Sequence, residues 1–146
     1  MLDEKEDGIA DADVYLANMA KSFADKAWFL KDIPEGIDTI VDFGGGTGDF
    51  ARHCQSKKPG LKYVIIDNNA SFASKAREHG FLVSSSLQDL RKSGSVDFNK
   101  ALLNMSSVIH EVYSYADPFY DDVGVFWTDV QKCGFKAIAI RDMSYD

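Results

Sequence analysis

Asp42, Gly44, Gly46 and Gly48 occupy alternate positions in the stretch Val41-Asp42-Phe43-Gly44-Gly45-Gly46-Thr47-Gly48-Asp49-Phe50. An apolar, β-prone run from Ile37 to Phe43 leads into these glycines, and a segment of helical character follows. In an open α/β sheet such a junction ends a strand, turns the backbone tightly and aims the free N–H groups of a helix N-terminus at a ligand. A Cβ would block both the positive-φ turn and the ligand's approach, so the junction needs glycine. Spacing narrows the chemistry further. A dinucleotide fingerprint, Gly-x-Gly-x-x-Gly, wants its third glycine where Asp49 stands, and the Gly-Lys-Ser/Thr ending of a P-loop is missing. A nucleotide-dependent oxidoreductase is disfavoured on that ground. The plainer reading is a glycine-rich turn in an unrelated α/β protein.

The pattern acidic-x-Gly-x-Gly-x-Gly, running Asp42, Gly44, Gly46, Gly48, resembles the first motif of class I S-adenosylmethionine-dependent methyltransferases. Their ligand has no pyrophosphate, and a carboxylate suits a loop beside an amino-acid moiety and a sulfonium. The resemblance implies S-adenosylmethionine as cofactor and S-adenosylhomocysteine as product. It assigns cofactor binding to Asp42, Gly44, Gly45, Gly46 and Gly48, and then to residues one βαβ step on. Asp67, 19 positions after Gly48, ends the apolar run Leu61 to Ile66. A carboxylate there reaches the two ribose hydroxyls of an adenosine. Its competing role is to cap the next helix. Asn68 would sit against the adenine or only cap. Leu87 and Asp89 occupy the place where the family reads the adenine edge, although Ser86-Leu87-Gln88-Asp89 also scores as a capping box.

Asn104 closes a fourth apolar run, and Met105-Ser106-Ser107-Val108-Ile109-His110-Glu111 follows. In the resembled fold this end faces the transferable methyl group, which makes Asn104, His110 and Glu111 the catalytic candidates and Asn104 a cofactor-binding candidate as well. His110 is the candidate base because imidazole titrates near neutrality. Glu111 would orient it or bind a cationic acceptor. Adjacent residues on a helix diverge, so both cannot enter one pocket if the stretch is helical. A His110 on a helix surface is the alternative. The Asn/Asp-Pro-Pro-aromatic signature of enzymes that methylate exocyclic or amide nitrogens is missing from this region.

The elements that must carry these residues alternate regularly. Residues 1–10 are acidic, poor in large apolar side chains and expected to be mobile. Residues 11–146 read as one S-adenosylmethionine-binding, methyltransferase-like domain. Tyr15, Met19, Phe23, Ala27 and Leu30 recur at helical spacing, as core contacts or as a wall of the cofactor pocket. Strands are expected at 37–43, 61–66, 81–84, 98–104 and 135–140, with helices at 49–57 and 70–79 and an apolar helical stripe from Phe119 to Val130. That alternation implies a doubly wound α/β fold, mainly parallel, with helices on both faces. Right-handed crossovers give the order 3-2-1-4-5. The hairpin of strands six and seven usual in the resembled family is expected to be lacking. Strand five would then be an edge with unpaired N–H and C=O groups, covered by self-association or a partner chain.

With 146 residues, 45% of them apolar and 27% charged, the chain suits one soluble domain. A net charge of −7 opposes a tight grip on nucleic-acid backbone, leaving a small-molecule acceptor as the favoured partner. No membrane span or signal peptide is expected. Cys54 and Cys133 lack a framework spacing, which suits a cytoplasmic protein with free thiols. His53, His79 and His110 are scattered without metal-ligand spacing, so no metal site is expected. The alternative to an enzyme is a non-catalytic module that binds S-adenosylmethionine or S-adenosylhomocysteine as a sensor or regulatory subunit.

Overall fold

The structure, a computed structural model, describes residue 14, residues 21–106 and residues 119–141. The chain divides into two compact units, Met1–Asp32 and Ile33–Asp146. In the first, residues 21–26 are α-helical, and Ala27–Asp32 tightens into 3-10 turns that bury Phe29 and Leu30. Tyr15 and Met19 of the expected helical stripe, and all of residues 1–10, lie outside the described residues.

The second unit is built on a parallel sheet. Its strands are β1 (Thr39–Phe43), β2 (Lys62–Ile66), β3 (Leu82–Ser84), β4 (Ala101–Ser106) and β5 (Ala137–Arg141), in the order β3-β2-β1-β4-β5. That is the expected order. Among the described residues the helices connecting them are α1 (Asp49–Lys57), α2 (Ala70–Glu78), α3 (Leu87–Ser93) and α4 (Phe119–Cys133).

Near-continuous apolar runs suit strands covered on both sides. Register decides which side chain goes where. Val41 pairs with Val64 and with Leu103, and these three turn to one face. There they form a core with Leu87 and Leu90 of α3 and Val130 and Cys133 of α4. Phe43 and Phe126 meet edge-on at 5.2 Å on the same side, as do Phe98 and Phe135 at 5.0 Å. Ile40, Ile65 and Leu102 point to the opposite face. On that face the Tyr63 hydroxyl lies 3.1 Å and 3.0 Å from the carbonyl oxygens of Cys54 and Lys58, tying β2 to α1. Helices therefore cover both faces.

Several boundaries differ from the sequence expectation for identifiable reasons. Phe98–Lys100 is a 3-10 turn, because the Asp97 side chain accepts the Asn99 N–H at 3.1 Å and closes the chain locally. The fourth strand consequently starts at Ala101 and runs on to Ser106. The third strand starts one residue late, because Gly80 turns with φ +90° and the Phe81 N–H still bonds to Ala76 of the preceding helix. The fifth strand starts at Ala137, after Gly134 turns the chain with φ +77°. It is an edge of the described sheet. No helix among the described residues is long and apolar enough to cross a membrane.

Candidate functional site

Where β1 ends, its pairing with β2 continues into the turn: the Gly44 and Gly45 N–H groups both donate to the Ile66 carbonyl, at 2.7 Å and 3.3 Å. The loop then crosses the carboxyl end of the sheet. Gly46 has φ +60° and Gly48 φ +86°, the left-handed region that costs an L side chain about 1 kcal/mol or more. Their surroundings differ. A Cβ on Gly48 would come within 2.9 Å of the Phe81 ring and 3.0 Å of Ile65, whereas one on Gly46 would meet nothing within 4 Å. Gly48 and Gly45 thus allow the loop to seat on the sheet, and Gly46 borders open space. Gly48 also begins α1 with no side-chain cap, so the helix presents backbone N–H groups at the loop.

Asp42 lies beneath this loop. A Cβ on Gly45 would sit 2.9 Å from the Asp42 Oδ2, and the residue is only 5% exposed. Its Oδ1 accepts a bond from Asn104 Nδ2 at 3.2 Å, and the Asn104 Oδ1 in turn accepts one from the Ser106 hydroxyl at 3.4 Å. A buried carboxylate is costly unless hydrogen-bonded, and the amide of Asn104 supplies a donor. Burial, and secondly the Asp42 charge, push the nearby Cys54 thiol up to about 12. Cys54 therefore stays a protonated core thiol at neutral pH and is not a nucleophile.

Asp67 reaches the loop from β2. Its Oδ2 accepts the Gly46 N–H at 2.8 Å and its Oδ1 accepts the Asn69 N–H at 2.9 Å. A carboxylate has about four acceptor positions, so lone pairs remain for a further donor. Capping of α2 falls to Asn69, whose side chain accepts the Phe72 N–H at 3.0 Å, and Asn68 is left exposed. Around α3 the capping geometry is realised: Ser86 accepts the Asp89 N–H at 3.1 Å, and the Asp89 carboxylate takes the Ser85 hydroxyl. Leu87 is a core residue, and Asp89 is exposed at the start of the helix.

The structure thus brings Asp42, Gly44, Gly45, Gly46, Gly48, Asp67 and Asn104 to one end of the sheet. His110 and Glu111 lie outside the described residues. Sequence reasoning passed over three participants. The His79 Nδ1 lies 3.1 Å from the Thr47 carbonyl oxygen, bracing the loop from the end of α2. Ser106 extends the polar chain from Asn104, and Arg141 stands beside Ser106 in register. The signal for Arg141 was a cation directly ending the apolar run Ala137-Ile138-Ala139-Ile140. Among the described residues no cluster of side chains is suited to hold a metal ion.

No model of a known family matches the sequence, and no curated protein sequence matches it. Solved structures do match. The mitomycin 7-O-methyltransferase MmcR is 17% identical with a TM-score of 0.59, the match covering 86% of this chain and 37% of that one. A DhpI–SAM–HEP complex is 17% identical with a TM-score of 0.54, covering 93% of this chain and 61% of the other. The plantazolicin methyltransferase BamL, in complex with a triazolic desmethylPZN analog and SAH, is 15% identical with a TM-score of 0.51. There the match covers 74% of this chain and 41% of BamL. The chain spans less than two thirds of the length of each. The fold is that of the class I methyltransferases.

Proposed function

We propose that this chain is an S-adenosylmethionine-dependent methyltransferase domain acting on a small-molecule acceptor. The observation that carries the reading is the Asp67 carboxylate, anchored at 2.8 Å to a loop whose Gly46 borders open space. A nucleoside fits that cradle. Asp67 has acceptor positions left for the paired ribose hydroxyls, and a Cβ at Gly46 would intrude on the side a ligand approaches. The SAM and SAH complexes among the structures of like fold support the same ligand. Bound there, it would supply an electrophilic methyl group on a sulfonium.

The chain's own residues do the rest. Gly44, Gly45, Gly46 and Gly48 shape the floor, and Asn68, Asp89 and the main chain at Leu87 border the adenine side. The negative field of Asp42, beneath the loop and fixed by Asn104, favours a cationic ligand over a neutral one. Asn104 acts in this reading by holding Asp42. His110 is the base for an acceptor that must lose a proton, with Glu111 orienting it. Holding acceptor and methyl in line supplies much of the acceleration. The exposed Ile138 and Ile140 support pairing of β5 with a second copy, which sedimentation of the wild type against an Ile138→Lys variant tests.

Calorimetry with S-adenosylmethionine and S-adenosylhomocysteine, wild type against Asp67→Ala, tests the core of the reading. Micromolar-range binding lost by at least about tenfold in the variant is expected, from removal of charge-assisted hydrogen bonds. Absence of binding to the wild type overturns it. Binding without methyl transfer to any acceptor assigns a sensor module instead.

A further inference from the structure

At the carboxyl end of β5 an arginine lies on the face of the sheet that carries Asn104 and Asp42. Ile138 and Ile140 are 44% and 46% exposed, while Ala139 is buried and Arg141 half-buried on the alternate face. The two isoleucines share the face of Leu103 and Met105, their partners in register, and Arg141 lies on the other. Arg141 pairs in register with Ser106, Ala139 with Asn104, and Asn104 with Asp42. Arg141 therefore shares a face with the polar chain beneath the glycine loop, two strands away from it. Among the described residues no hydrogen bond or ion pair engages its side chain.

In open α/β sheets ligands bind outside the carboxyl ends of the strands, at the point where the order reverses. That point lies between β1 and β4. Asp67 follows β2 on one side of that point and Arg141 ends β5 on the other. With strands about 4.8 Å apart, roughly 14 Å of sheet separates β2 from β5, enough for two ligands side by side. The Ser106 hydroxyl donates to Asn104, so among the described residues at that end the planar fork of Arg141 is the donor left.

We infer that Arg141 is a specificity-determining residue of the acceptor pocket and that the methyl acceptor carries an anionic group, a carboxylate or a phosphate, held by this guanidinium. The inference rests on the proposed function for the identity of the pocket, but anion binding by Arg141 is measurable without it. The net charge of −7 favours a small anion over a polyanion, which the rest of the surface repels.

The test follows the Arg141 Nε–H resonance of the 15N-arginine-labelled full chain, assigned with Arg141→Gln, during separate titrations with inorganic phosphate and with acetate. Each is run with and without S-adenosylhomocysteine. A saturable shift with an apparent Kd of about millimolar order is expected, and the anion that binds tighter names the acceptor's group. Followed instead through the Ser106 backbone amide of uniformly 15N-labelled protein, Arg141→Lys should weaken anion binding about three- to tenfold by losing the bidentate fork, and Arg141→Gln should abolish it. The affinity of Arg141→Gln for S-adenosylhomocysteine should stay within about twofold of wild type, because the residue lies on the acceptor side. Failure of both anions to saturate the resonance overturns the inference. So does loss of S-adenosylhomocysteine affinity in Arg141→Gln, which would mark a structural residue. If the wild type binds no S-adenosylhomocysteine, the proposed function falls, while the titrations without it still judge Arg141.

Discussion

The carboxylate of Asp67 accepts the Gly46 N–H at 2.8 Å, joining the end of β2 to the middle of the loop that follows β1 across 21 residues of chain. With its other oxygen on the Asn69 N–H at 2.9 Å, one side chain holds the glycine loop and the entry to α2 at once. The loop is thus positioned by a residue proposed to grip the ligand, which lowers the ordering cost of binding.

Asp67→Ala should therefore weaken both stability and ligand binding. Two backbone donors lose a charged acceptor, which costs about 1–3 kcal/mol in urea denaturation. Asp67→Asn keeps an acceptor for one of the two N–H groups and should recover only part of the stability while leaving S-adenosylhomocysteine affinity low. Equal affinity in Asp67→Asn and wild type would remove the charge from the argument.

Gly46→Ala and Gly48→Ala separate ligand approach from packing. At Gly46 the substitution meets no atom within 4 Å, so its cost is the φ strain of about 1–2 kcal/mol. Its larger effect should be on S-adenosylhomocysteine affinity. At Gly48 the Cβ runs into Phe81 and Ile65 at 2.9–3.0 Å, adding an overpacking cost of about 1–3 kcal/mol to the strain. Thermal denaturation should rank Gly48→Ala well below Gly46→Ala, and calorimetry of the folded fractions should reverse the order of harm.

Asn104→Leu removes a donor from the buried Asp42 carboxylate and should cost about 1–3 kcal/mol in denaturant unfolding. Combined with Asp42→Asn, the loss should be less than the sum of the single losses, because the two groups touch. Additive losses in the double-mutant cycle would show that the pair is not coupled.

Stability should also fall in alkali. The Cys54 thiol is pushed from 9.0 up to about 12, firstly by burial and secondly by the Asp42 charge. The folded state therefore holds the proton more tightly than the unfolded chain. Its contribution is fully present below about pH 9 and is lost as pH rises toward 12. Burial raises the Tyr63 hydroxyl in the same direction. Urea midpoints measured across that window should decline for wild type, and less steeply for Cys54→Ala.

Much of this architecture is legible in nearest-neighbour patterns. The apolar runs, the glycine spacing after Phe43 and the acid after Ile66 locate β1, β2 and the loop, and alternation of strand and helix implies the sheet order. These signals are local, because strand pleat, helix period and turn geometry each depend on a few consecutive residues. Even the Ser86 capping box is visible in four letters, while the 3-10 turn capped by Asp97 is not, since a capping side chain competes with the ladder only where the sheet partner is known.

What tertiary structure decided is pairing. Asn104 and Asp42 stand 62 residues apart, and only the parallel register of β1 with β4 makes the amide a partner of the carboxylate. The same holds for Asp67 reaching Gly46 and for Arg141 standing beside Ser106. A register slip of one residue would send each of these side chains to the other face of the sheet. Residue type alone determined that acids, amides and a guanidinium end the strands; the register of the folded sheet determined which of them meet.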